Sequence, residues 1–69
     1  MSYKRVYEGG SLTRYECSVG HIDVKYYAVG HWGKYEAAYV PVYNGKRGYE
    51  VSRLKDAKDA LEKMARNEL

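Results

Sequence analysis

The sequence predicts an α+β fold: an antiparallel β-meander of four or five strands with one C-terminal amphipathic helix packed on one face. Three observations predict it. Side chains alternate with a period of two over most of the first fifty residues, as they do along half-buried strands. The alternating runs are bounded by Gly9-Gly10 and Asn44-Gly45, dipeptides suited to two-residue hairpin turns. From Ser52 onward the period lengthens to that of a helix.

Taken in order, the first strand is Tyr3 to Glu8, with Tyr3, Arg5 and Tyr7 on one face and Lys4 and Val6 on the other. The return strand, Ser11 to Ser18, sets Thr13, Tyr15 and Cys17 against Leu12, Arg14 and Glu16, and a second turn falls near Val19-Gly20. Beyond it Ile22, Val24, Tyr26 and Ala28 alternate with Asp23, Lys25 and Tyr27 to make the third strand. Gly30-His31-Trp32-Gly33 breaks the pattern and predicts a loop. The fourth strand, Lys34 to Tyr43, carries Tyr35, Ala37, Tyr39 and Tyr43 on one side and Ala38, Val40 and Val42 on the other. Pro41 has no N–H for a ladder, which predicts an edge or a bulge there. Asn44-Gly45 then opens a hairpin that Lys46-Arg47-Gly48 extend into a five-residue basic loop, with Tyr49 to Val51 pairing back.

The helix runs from Leu54 to Arg66. Leu54, Ala57, Leu61, Met64 and Ala65 form one stripe, Ser52 is the expected N-cap, and Asp59 with Lys63 and Glu62 with Arg66 are acid-first pairs one turn apart. The stripe is expected to cover the Ala38, Val40 and Val42 side, because that side desolvates no hydroxyl. Tyr35, Tyr39 and Tyr43, with Trp32 at their end, are then left outward as a partner site or a homodimer seam.

The length of 69 residues bounds the chain to a single domain, residues 1–69. With 45% hydrophobic and 30% charged residues the balance is globular, and no apolar run approaches a membrane span. The single cysteine, Cys17, and an N-terminus without an apolar leader predict an intracellular, cytoplasmic protein. Nine Tyr, one Trp and no Phe are more aromatic bulk of the amphipathic kind than a core this small absorbs, so some tyrosines belong to an interaction surface.

Catalysis is not expected. Cys17 and His21 share a strand side, but no further ligand set completes a metal site, and Cys17 has only that local imidazole as a base. Carboxylate pairs such as Glu16 and Glu36 follow from chance in a chain so charged, and Gly30-x-x-Gly33 lacks the Lys-Ser/Thr tail of a phosphate loop. No cofactor is implied. The formal charge is +3, and the helical segment is nearly balanced, so the excess lies on the strands and the hairpin, interleaved with Tyr. Bases and aromatics so mixed suit a face that meets phosphate, sugar and base.

The run Trp32-Gly33-Lys34-Tyr35-Glu36-Ala37-Ala38-Tyr39, the Asn44-Gly45-Lys46-Arg47 hairpin and the Ala-rich helix Leu54 to Ala65 resemble the three-strand-plus-helix DNA-binding domain of plant ethylene-response factors, homing endonucleases and the arm-binding module of phage integrases. The likeness covers Tyr27 to Ala65; Pro41, and Val51-Ser52-Arg53-Leu54 in place of a Gly-x-Phe lead into the helix, depart from the pattern. It implies that the sheet binds duplex DNA and that Trp32, Lys34, Tyr35, Tyr39, Lys46 and Arg47 make the contacts, with Tyr43 continuing the aromatic side. The alternative, from another class, is a small phage-type inhibitor similar in style to anti-CRISPR proteins, which docks on a host protein or nuclease complex and blocks it. Its net positive charge suits occlusion of a nucleic-acid site better than mimicry of DNA.

Overall fold

The computed structural model describes residues 2–30 and 33–67. They form β1 (Lys4–Glu8), β2 (Ser11–Cys17), β3 (Gly20–Val29), β4 (Lys34–Tyr43), β5 (Lys46–Arg47) and α1 (Leu54–Asn67). The strands make one antiparallel sheet in the order β1-β2-β3-β4-β5, the meander expected from the alternation, and α1 is the second layer. Among the described residues no helix is long and apolar enough to cross a membrane.

The last hairpin is tighter than the sequence suggested. Asn44 and Gly45 both take left-handed backbone, φ 49° and 81°, which is the twist of a two-residue turn, so Lys46 and Arg47 pair at once with Tyr43 and Val42. They are a short strand, where a five-residue loop was expected. Tyr49 to Val51 do not form a strand: Val51 alone bridges back, exchanging backbone hydrogen bonds of 2.8 and 2.7 Å with Tyr39. Gly20 is required at the second turn, because a Cβ there would run into the Val42 carbonyl oxygen of β4.

Pro41 is neither at an edge nor in a bulge. Tyr39 bonds Val51, and the Pro41 carbonyl accepts from the Gly48 N–H at 2.7 Å, so the odd-numbered residues of β4 turn their backbone groups away from β3. The even-numbered ones serve the β3 ladder, which runs unbroken from Gly20↔Tyr43 to Val29↔Lys34. The missing donor therefore faces the irregular stretch after β5, where no ladder needs it.

The helix covers the opposite side of the sheet from the one expected. Its buried Ala57 and Leu61 pack with Ile22, and Tyr3, Tyr15, Cys17, Tyr39, Tyr43, Val51 and Leu54 close around them. Bulk explains the reversal. The chain has few large aliphatic side chains, and Tyr rings bury more apolar area than Ala or Val, so the aromatic side makes the better seat even with hydroxyls to place. Ala38, Val40 and Val42 are nevertheless buried, at 8, 4 and 7% exposure, on the side without a helix. They are small and lie in register between longer side chains: Val42 between His21 and Arg47, Val40 beside Asp23, Ala38 beside Lys25. The cap also differs. The Ala57 N–H donates to the Arg53 carbonyl at 3.2 Å, which makes Arg53 the N-cap and leaves Ser52 one residue too early.

The molecule is elongated, 45 × 22 × 18 Å. Its length comes from β3 and β4, which run on past the level of Val51, where the chain turns into α1, as a two-stranded arm. Tyr26, Tyr27, Val29 and Tyr35 stand exposed on it. The β1–β2 hairpin does not follow: β2 pairs with β3 from Cys17↔Gly20 to Arg14↔Asp23 and then leaves it. Across the gap the Tyr26 hydroxyl donates to the Leu12 carbonyl at 2.8 Å.

Candidate nucleic-acid interface

The strand registers assign every side chain of the sheet to one of two faces. The helix-free face is crossed by one complete row, Lys4–Glu16–His21–Val42–Arg47, formed by all five strands. Above it lie Val6–Arg14–Asp23–Val40, then Lys25–Ala38, Tyr27–Glu36 and Val29–Lys34 as the sheet narrows into the arm. Five bases thus share this face: Lys4, Arg14, Lys25, Lys34 and Arg47. From the Val42 row to the Lys34 row is eight residues of β4, about 26 Å at roughly 3.3 Å per residue.

Four acids lie among them, and hydrogen bonds occupy two. Asp23 accepts from the Arg14 Nε at 3.2 Å, an ion pair that holds the Arg14 head group, and stands 3.6 Å from the His21 Nε2. Glu50 accepts from the Tyr27 hydroxyl at 2.6 Å. Tyr27 is on β3 and Glu50 is beyond the far edge of β4, so the ring must lie across β4, over the level of Ala38. That hydrogen bond to a carboxylate, together with burial, holds the Tyr27 phenol above its ordinary pKa. The ring is therefore a neutral aromatic plate set between Lys25 and Lys34.

The residues expected to act together are divided by this geometry. Lys34 and Arg47 are on the helix-free face, at opposite ends of it, and both are exposed. Tyr39 and Tyr43 are half-buried beneath α1 as part of the core. Tyr35 is on the helix side too, but beyond the helix, and is 68% exposed. Lys46, opposite Tyr43, belongs to the helix side. Trp32 and His31 lie outside the described residues. Lys4, Arg14, Lys25 and Tyr27 were not among the expected contacts, although a signal for two of them exists: Lys25 and Tyr27 alternate in phase on the third strand.

On the helix side, an open hollow of about 450 Å³ sits at the base of the arm, lined by Glu36, Ala37, Tyr39, Ser52 and Arg53. Burial raises the pKa of Tyr15 beneath the helix, with neighbouring Tyr39 adding to it. Among the described residues no three His, Cys, Asp or Glu stand close enough to hold a metal ion. No protein-family model matches the chain, and neither a curated protein nor a solved structure matches it.

Proposed function

We propose that this is a non-enzymatic module that binds double-stranded DNA with the helix-free face of its sheet. The observation that carries the reading is the set of five bases on one face, Lys4 and Arg47 at the two ends of one row with Arg14, Lys25 and Lys34 above it, spread over about 26 Å of a surface that no other element covers. Each DNA strand presents a phosphate every 3.4 Å or so of helix axis, and cations spread over that length engage several of them at once. The two-stranded arm supports the same reading, since a β-ribbon is narrow enough to enter the major groove. Tyr27 offers a flat apolar surface to sugar or base. Of the contacts that the resemblance implied, Lys34 and Arg47 are kept in this proposal, Tyr35, Tyr39 and Lys46 fall on the helix side, and Lys4, Arg14, Lys25 and Tyr27 are added from the helix-free face.

The test is fluorescence anisotropy with a labelled duplex over a range of salt. Lys25→Ala, Lys34→Ala and Arg47→Ala should each weaken binding to all duplexes alike and flatten the slope of log K against log salt by about one. A triple variant that keeps its circular dichroism and still binds with the parent's slope would sink the proposal. A second reading, docking on a protein target as a small inhibitor does, draws on the exposure of Tyr35, on the helix side, at 68% and of Tyr49 at 92%. Under that reading Tyr35→Ser with Tyr49→Ser abolishes capture of the target while the charge variants leave it unchanged.

A further inference from the structure

The open edge of β3 has a definite requirement of its own, independent of the DNA reading. In β4 the even-numbered residues serve β3, so in β3 the odd-numbered residues serve β4 and the even-numbered ones face β2. The β2 ladder stops at Arg14↔Asp23. Tyr26 and Ala28 therefore direct their backbone N–H and C=O groups to a side where no strand follows. Only another extended backbone matches that spacing of donors and acceptors.

We infer that the edge Lys25 to Val29 pairs with the same edge of a second copy, antiparallel about a two-fold axis at Tyr27. The register follows from parity. Tyr26 meets Ala28 of the partner subunit, and Ala28 meets the partner's Tyr26, each pair exchanging two backbone hydrogen bonds, so all the free groups of both residues are used. The side chains agree with it. A large ring faces a methyl on the helix side, Lys25 faces the partner's Val29 on the open side, and no like charges are opposed. At the axis Tyr27 meets its counterpart while its ring is drawn across β4 to Glu50, so the two Tyr27 rings do not collide. The exposure of Tyr26 and Val29, at 49 and 41%, includes the apolar surface that such pairing covers. Because the axis is perpendicular to the sheet, both helices stay on one side and the two helix-free faces join into a single continuous surface.

Sedimentation equilibrium of the full chain should give twice the 8.0 kDa of one copy at high micromolar concentration. Val29→Lys places a lysine opposite the partner's Lys25 twice per dimer and should raise the dissociation constant roughly tenfold, whereas Val29→Glu should lower it. Adding Lys25→Glu to Val29→Lys restores two opposite-charge pairs and should restore the dimer, a rescue that general damage to the arm could not produce. In a mixed sample of labelled and unlabelled wild-type chains, isotope-filtered spectra should show an Hα–Hα contact between Lys25 and the partner's Val29. Monomeric sedimentation at millimolar concentration overturns the inference, including the case in which the monomer's edge takes a strand from another protein. Equal masses for the Val29→Lys and Val29→Glu variants overturn it as well, as does failure of the double variant to recover.

Discussion

The Tyr3 side chain shows what the helix accepts in order to sit on the aromatic side of the sheet. Its ring lies 4.8 Å beneath the Lys58 ammonium, a cation–π contact, yet its hydroxyl is buried with no hydrogen-bond partner among the described residues. A buried hydroxyl without a partner costs more than it contributes. Tyr3→Phe keeps the ring and the ammonium contact while removing the unsatisfied oxygen, so it should stabilise the fold by about 1 kcal/mol in urea denaturation. Loss of stability would instead mean that a water serves the hydroxyl. The same residue couples the fold to alkaline pH. Burial, with smaller contributions from Cys17, Glu62 and Asp59, raises its pKa above the ordinary 10.0, since the phenolate is disfavoured there. A folded-state pKa above the unfolded one leaves the contribution intact below pH 10.0 and removes it as pH climbs toward the higher value. The Phe variant should therefore decline less steeply than the parent above that pH.

At the level of elements, α1 begins poorly. Arg53 is its N-cap, where a side chain should accept from the first free N–H groups, and a guanidinium can only donate and also opposes the positive end of the helix dipole. Arg53→Asp should raise stability by about 1 kcal/mol, read as a shift of the urea midpoint without a change in slope. An unchanged midpoint would place the cap elsewhere. The elements themselves were legible in the sequence wherever a local rule acts alone: Asn44-Gly45 dictates its own turn, and the stripe of Leu54, Ala57 and Leu61 dictates a helix. Other features depend on partners that the chain does not announce. Lys46 and Arg47 have no apolar signal and become a strand because a two-residue turn delivers them beside β4. Pro41 reads as a strand breaker until the direction of its nitrogen is known. Alternation separates the sides of β4, but which side α1 covers is decided by the bulk that Tyr39 and Tyr43 offer against that of Val40 and Val42.

For the whole molecule, one helix on a five-stranded sheet leaves one face open, and the candidate site is a property of that face and not of any segment. Lys34 and Arg47 could be picked out from the hairpin motifs flanking β4. Lys4, Arg14 and Lys25 come into line with them only through the registers of three ladders, one of which shifts at an irregularity between Val6 and Tyr7 that no residue pattern marks. The strict succession of the strands has a consequence of another kind. Since each strand lies beside its neighbour in sequence, no long loop has to close before pairing begins, and contact order is low for so β-rich a chain. Refolding should then be quick, in the range of about a millisecond to tens of milliseconds, and single-exponential in stopped-flow fluorescence, with tyrosine and Trp32 signals changing together. Separate phases for the two signals would show that the arm forms in a step of its own. A chain that completes its sheet this quickly spends little time with unpaired strand edges exposed to other unfolded copies, so the same succession of hairpins protects it from aggregation while it folds.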